Sequence, residues 1–433
     1  MTQPLTTRQM RLFSGEQETA RKDTSSTFSH NSSLPIHRWF HYSAGFSALW
    51  VRDLIEKEKA KGRYRIFDPF AGSGTVLLES ELCSMDAIGI DSHPFVARVA
   101  RAKLYWRENP KAFRDYALSV LEQASKQESD ESKYPRLITQ CFPPSTLSCL
   151  DSLRKVWEIS ANDSPLSELT WLVLVSILRE CSPVGTAQWQ YVLPNKTKAK
   201  VADPYGAFQA KVHLMADDMV RRQRQTHGSQ AKFFLEDARM CSSVPDGWAD
   251  LVITSPPYAN NYDYADAVRL EMSFLGEVYG WKDLQDTVRK YLIRSCTQHI
   301  AKMKGGTCSI LKDPLLKVIH NEISEICEQL ETEREKHGGR KPYHTMIAAY
   351  FSDMARVFVS LRRVTARDAL ICFVIGDSAP YGIYVPVDRW LGELAVGAGF
   401  KSFSFEWIRD RNVKWKNRKH SVPLHEGRLW IKG

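Results

Sequence analysis

Residues 249–258 read ADLVITSPPY. The apolar run Leu251-Val252-Ile253 stops at Ser255, Pro256, Pro257 and Tyr258. A strand ending this way presents a hydroxyl, two residues that cannot continue a ladder, and a flat ring. Residues 67–75 read FDPFAGSGT. Gly72 and Gly74 let backbone approach a ligand closely. In α/β folds such ligands sit at the carboxyl ends of strands, near a helix N-terminus. The spacing is not GxGxxG, and Gly74-Thr75-Val76 lacks the lysine of a phosphate loop. The turn therefore suits something other than a phosphate chain, and Asp91, closing the next strand DAIGID, suits a pair of ribose hydroxyls.

Together these stretches carry a family resemblance. FDPFAGSGT followed by a strand ending in Asp91 resembles the S-adenosylmethionine-binding start of the DNA amino-methyltransferases. ITSPPY resembles their Asp/Asn/Ser-Pro-Pro-Tyr/Phe signature, and serine in its first position is typical of the cytosine-N4 type. The resemblance covers 35–108 and 231–433. It implies an α/β fold: a seven-stranded, mostly parallel Rossmann-like methyltransferase sheet with an antiparallel edge hairpin. It also implies S-adenosyl-L-methionine as cofactor, double-stranded DNA as substrate, and a cognate restriction or phage-defence nuclease as partner. By resemblance, Asp68, Phe70, Ala71, Gly72, Gly74 and Thr75 line the methionine side of the cofactor, and Asp91 holds its ribose. Asp237, with Ala238 beside it, meets the adenine, and Phe46 with His41 closes over the cofactor. Ser255, Pro256, Pro257 and Tyr258 form the catalytic set, and no metal is expected.

That set suits the chemistry. The amino group of cytosine is a poor nucleophile because its lone pair is delocalised into the ring. An acceptor facing an amino hydrogen pulls the nitrogen toward tetrahedral geometry; the Ser255 hydroxyl and the Pro256 carbonyl are two such acceptors. The prolines hold them still, and Tyr258 offers a face for an extruded base. The chain contains no Pro-Cys dipeptide, which a carbon-5 mechanism would need. Asn261, Tyr262, Gly376, Asp377 and Trp415 are further candidates to touch the base or its neighbours. Adenine N6, guanine N2 in RNA, and a non-catalytic nucleic-acid-binding subunit stay open as alternatives.

The bulk numbers fit this picture without requiring it. The chain has 433 residues, 59 Lys+Arg against 50 Asp+Glu, and a formal charge of +9, which mildly favours a polyanionic partner. Nine cysteines, none spaced as CxxC, argue against a zinc knuckle. Their odd number and a polar N-terminus lead us to expect reduced thiols in a cytoplasmic protein. The apolar stretch LTWLVLVSIL (169–178) is too short to span a membrane.

The motifs need elements to position them. Short apolar runs predict strands at 64–70, 86–91, 231–235, 249–254 and 369–376, with a closing pair at 400–411 and 426–433. Helical spacing predicts helices at 76–85, 92–108, 265–280, 348–364 and 386–398. Between the two halves of the α/β pattern, 109–230 reads as a mostly helical insertion, with helices at 112–127, 145–160, 165–181 and 205–225. Its basic, aromatic stretch QWQYVLPNKTKAK (188–200) is a candidate for DNA recognition, and the charged 282–345 segment is the alternative. Residues 1–33 read as a mostly flexible tail, 34–108 and 231–433 as a discontinuous catalytic domain, and 282–345 as a charged subregion within it. The oligomeric state is left open.

Overall fold

The computed structural model describes residues 28–42, 45–185, 193–225, 228–260, 263–301, 306–411 and 422–433. Seven strands form one sheet: β1 (Arg65–Asp68), β2 (Asp86–Asp91), β5 (Lys232–Leu235), β6 (Ala249–Thr254), β7 (Thr365–Gly376), β8 (Ser402–Arg411) and β9 (Leu424–Lys432). A separate two-stranded ladder joins β3 (Val184–Gly185) to β4 (Leu193–Thr197). The main order is β5-β2-β1-β6-β7-β9-β8. The first five strands run parallel, and β9 enters antiparallel between β7 and β8. This is the Rossmann-like methyltransferase sheet with an antiparallel edge hairpin.

The central strands are short and apolar because both of their faces are covered. Ile66, Phe67, Leu251, Val252 and Ile253 are fully buried. Pairing Ile66 with Leu251 and Phe67 with Val252 brings the carboxyl ends of β1 and β6 to one rim. The glycine turn and Ser255 follow those two ends.

Helices α1 (Ala48–Lys59), α2 (Thr75–Leu82) and α3 (Pro94–Leu104) flank the first strands. The insertion supplies α4 (Pro110–Ala124), α5 (Arg136–Cys141), α6 (Pro144–Ser160), α7 (Pro165–Cys181) and α8 (Pro204–Gln223). Three of these start on a capping side chain followed by proline, at Asn109-Pro110, Ser164-Pro165 and Asp203-Pro204. That order satisfies orphan N–H groups and presets φ. The run LTWLVLVSIL lies in α7, which packs against α3, α4, α6 and α8 and is therefore apolar nearly all round. No helix among the described residues is long and apolar enough to cross a membrane.

The insertion is sewn onto the sheet side of the molecule. Phe95 of α3 meets Trp171 of α7 at 5.3 Å, and Arg98 pairs with Glu168 at 2.8 Å. Asp218 of α8 takes N–H donors from Ile36, Arg38 and Trp39 at 2.6–3.2 Å. One continuous hydrophobic cluster runs from Ile36 and Val51 through these helices.

Beyond β6 lie α9 (Arg269–Phe274), α10 (Leu284–Thr287), α11 (Gly306–Leu311), α12 (His320–Lys336), α13 (Tyr343–Val364) and α14 (Val387–Gly397). The second cluster, built largely from α13 and α14, covers the opposite face. The helix expected at 265–280 is instead a 3₁₀ turn, Asp266–Val268, followed by the short α9. Gly276, at φ 75°, turns the chain away soon after it.

The N-terminal part also departs from expectation. Residues 1–27 lie outside the described residues, but Phe28–Ser33 form a 3₁₀ helix within the span read as a tail. Buried Asn31 holds this turn in place. Its side-chain amide donates to the Phe46 carbonyl at 2.9 Å, and its oxygen accepts from Ala48 N–H at 2.9 Å. A short polar side chain with two long-range backbone partners gives no periodic signal in a sequence.

Candidate active site

At the carboxyl rim of β1, β2 and β6 lies a cavity of about 290 Å³. Its walls include Phe46, Phe70, Gly72 and Asp91 from one side and Ser255, Pro256, Pro257 and Tyr258 from the other. The two motifs, 183 positions apart from Gly72 to Ser255, thus face one space.

The glycine turn is built for close approach. Gly72 has φ 51° and Gly74 φ 87°, conformations that L side chains rarely adopt. A Cβ on Gly72 would lie 3.5 Å from the Tyr42 ring, itself a cavity wall. Asp91 organises the turn. Its carboxylate accepts from Gly72 N–H at 2.9 Å and from His93 N–H at 2.8 Å. Burial raises its pKa, and those backbone donors oppose the shift. Asp68, Ala71, Gly74 and Thr75 are outside the cavity lining; Asp68, Ala71 and Thr75 are buried. Asp68 bonds Thr254 at 2.6 Å and Phe70 N–H at 3.0 Å, so it joins the turn to the strand that leads into Ser255.

On the opposite wall, the Ser255 hydroxyl donates to the Val374 carbonyl of β7 at 3.1 Å. Its proton is thereby spent on the scaffold, and the oxygen faces its surroundings as an acceptor. Tyr258 N–H donates to the Tyr264 hydroxyl at 3.1 Å. Burial pushes the Tyr258 phenol upward, so it stays neutral. Arg411, the last residue of β8, lies over the Tyr258 ring with its guanidinium carbon 5.1 Å from the centroid.

Other expected residues sit elsewhere. Asp237 and Ala238 are outside this lining; Asp237 pairs with Arg239 at 2.5 Å, and Arg239 also bonds Asp353 at 2.9 Å. Gly376 and Asp377 are outside it too, although Val374, two residues earlier, is a wall. Asp377 N–H donates to the His425 carbonyl of β9 at 3.0 Å, and its carboxylate accepts from His425 N–H at 3.3 Å, which makes it part of the hairpin junction. His41 is exposed and outside the lining. Asn261, Tyr262 and Trp415 lie outside the described residues, as do Trp189 and Tyr191 of the recognition candidate.

Sequence reading passed over several walls, Tyr42, Trp50, His93, Tyr264 and Arg428, and took Arg411 only as part of a basic stretch, 409–420, suited to phosphates. Tyr42 and Trp50 flank Phe46, and Trp50 meets it edge-on at 5.8 Å, so proximity to that residue was a usable signal. His93 caps α3 through Nδ1, which leaves the proton on Nε2. That Nε2 is buried without a hydrogen-bond partner among the described residues, and burial lowers the ring's pKa to about 4.

Just after Tyr258 the chain is anchored by a buried ion-pair group. Asp263 accepts from Arg289 at 2.5 Å and from His299 Nε2 at 3.1 Å. Cys296 completes a trio with Asp263 and His299 whose ligand atoms lie within 4.8 Å of one another. The guanidinium already balances the carboxylate, and His299 Nδ1 bonds the Ile293 carbonyl at 2.9 Å, so the group works as a clamp beside the cavity walls Leu292 and Ile293.

No family model matches the chain. It is 27% identical over 432 residues to the Type II methyltransferase M.BsoBI of Geobacillus stearothermophilus, across 89% of this chain and 82% of that protein. It is likewise 27% identical over 404 residues to the Type II methyltransferase M.AvaI of Nostoc sp. and of Anabaena variabilis, across 86% of this chain and 81% of those proteins.

Proposed function

We propose that this chain is a site-specific DNA methyltransferase that uses S-adenosylmethionine and acts on the exocyclic N4 amino group of cytosine in double-stranded DNA. Its place would be beside a restriction or phage-defence nuclease. The observation that carries the reading is the shared cavity: Ser255, Pro256, Pro257 and Tyr258 line the same space as Gly72 and Asp91. Similarity to Type II methyltransferases across most of the chain supports the reaction class. Serine at position 255 supports the choice of cytosine.

The residues present fit the cofactor. Gly72 offers bare backbone, Asp91 a carboxylate suited to ribose hydroxyls, and Phe46 with Trp50 an apolar wall. The orphaned His93 Nε2–H is a donor awaiting an acceptor. The cavity is near the lower end of small-molecule sites, about 300 Å³. S-adenosylmethionine, when bound, supplies an electrophilic methyl group on a sulfonium centre.

The chain's own work is positioning. Ser255 Oγ, oriented by Val374, and the Pro256 carbonyl accept the two amino hydrogens and return the nitrogen lone pair to the nucleophile. The proline pair fixes these acceptors, and the base rests against Tyr258. Among the described residues that line the cavity there is no cysteine, in keeping with direct transfer to nitrogen.

The test incubates the protein with labelled cofactor and a mixture of DNA and RNA and then digests each to nucleosides. Label on N4-methylcytosine supports the reading. Label on N6-methyladenine replaces the base, label in RNA alone replaces the substrate, and no incorporation defeats it.

A further inference from the structure

We propose that the outer edge of β5 is a contact surface for a second copy of this chain, paired antiparallel about Phe234. β5 (Lys232–Leu235) is the end strand of the main sheet and is bonded to β2 alone. Glu236 N–H donates to the Asp91 carbonyl at 3.0 Å. Alternate residues of a parallel strand turn their backbone groups to the same neighbour. Lys232, Phe234 and Glu236 therefore serve β2, while Phe233 and Leu235 present N–H and C=O outward. Those outward groups have no backbone partner among the described residues.

An open edge is ordinarily blunted by proline, a bulge or several charges. This one reads Lys-Phe-Phe-Leu-Glu, with its lysine at the start. Leu235 is 51% exposed and Phe234 37%. The face that carries Phe234 is open as well. Parallel sheets need cover on both faces, yet β5 passes to β6 through a loop that contains no helix. A depression of about 280 Å³ remains there, walled by Ile88, Phe234, Pro245 and Trp248, with Asp86 and Lys232 on its polar side.

The edge complements itself. A two-fold axis through Phe234 sets Phe233 against Leu235 of the second copy, and Leu235 against its Phe233. The outward groups of these residues then close two pairs of N–H···O=C bonds across the axis. On the open face the two Phe234 rings stand opposite each other beside the depression. On that same face Lys232 meets Glu236 of the second copy, once on each side of the axis. Glu236 is already fixed, its carboxylate accepting from Ser243 N–H at 3.1 Å and from Ser242 N–H. Centring the axis on Phe233 or Leu235 would break the match of Lys232 with Glu236. These paired signs favour a second copy over an unrelated strand. Antiparallel pairing points the carboxyl rims of the two sheets in opposite directions, so the two cavities open away from each other.

Sedimentation velocity over a concentration series should show a reversible monomer–dimer equilibrium. Leu235→Pro deletes an outward N–H and leaves the β2 ladder intact. By symmetry it removes half of the bonds across the axis, and the dissociation constant should rise about 10- to 100-fold. Lys232→Glu sets acid against acid and should raise it about 10-fold. Added salt should recover part of that loss and none of the proline variant's. Circular dichroism and melting scans check that each variant is folded. Phe234→Cys brings two thiols together across the axis, and mild oxidation should yield far more disulfide-linked dimer than in wild type or Leu235→Cys. A wild-type chain that stays monomeric throughout the series overturns the inference. So does a dimer that both edge variants leave at wild-type strength, or a cross-linking yield for Phe234→Cys no higher than for Leu235→Cys.

Discussion

Asp68 Oδ1 accepts the Thr254 hydroxyl at 2.6 Å, and Thr254 immediately precedes Ser255. One buried carboxyl therefore couples the ligand turn to the Ser-Pro-Pro-Tyr wall. Burial raises this group from 3.8 to about 7, against the opposing hydrogen bonds from Thr254 and Phe70. The folded protein holds a proton between about pH 4 and 7 that the unfolded chain has released, so stability falls as pH rises through that window. Asp68→Asn should flatten the decline in melting temperature between pH 4.5 and 7.5. An unchanged slope in thermal-shift scans would assign the effect elsewhere.

Ser255→Ala removes one of the two proposed amine acceptors and leaves the Pro256 carbonyl. Turnover should drop about 100-fold, with S-adenosylhomocysteine affinity kept within about 3-fold, because the hydroxyl's bond runs to Val374 and away from the glycine turn. Steady-state kinetics with calorimetry separates the two. Full activity in the variant would leave the main chain as sole acceptor.

Asp91→Ala takes away the shared partner of the Gly72 and His93 N–H groups along with the carboxylate proposed to hold the ribose. Cofactor-product affinity should weaken by more than about 10-fold. Calorimetry showing wild-type affinity would place the ribose elsewhere.

His299 faces acceptors on both ring nitrogens, Ile293 O and Asp263. Burial opposes its charged form, yet the hydrogen bonds and charges of Asp263 and Cys296 together outweigh it and lift the pKa from 6.5 to about 10. The stabilisation is complete below pH 6.5 and is lost as pH rises toward 10. His299→Gln should melt at lower temperature at pH 6 and converge on wild type near pH 10. Parallel melting curves across that range would refute the charge-pair account.

Asp218 accepts four N–H donors from three residues of the 36–39 segment while belonging to α8. Asp218→Ala strands a partly buried Arg38 and the buried Trp39 indole, and should cost about 3 kcal/mol. Denaturant unfolding should show one weakened transition, because insertion and sheet share a core. Two separated transitions would mean that the insertion folds as its own unit.

Much of this molecule was legible in the chain. Strand ends, the glycine turn, Asp91 and the Ser-Pro-Pro-Tyr wall are local features: chain stiffness, positive φ and apolar runs act over a few residues. The helices of the insertion were legible in the same way, as successive segments in a region with few strand signals. Arg411, Tyr42 and His93 were not. Their roles depend on what stands opposite: Tyr258 across β7 and β9 for Arg411, the Gly72 turn for Tyr42, the cavity for His93. Even Asp377 and Gly376, chosen for their place at a strand end, turn out to border a side chain from β8. By itself the sequence determined which segments form strands and which residue types wait at their ends, because steric and solvation preferences are local. Only the tertiary structure decided which ends share a rim and which cations meet which rings, because those contacts arise when the sheet twists and closes segments hundreds of residues apart onto one cavity.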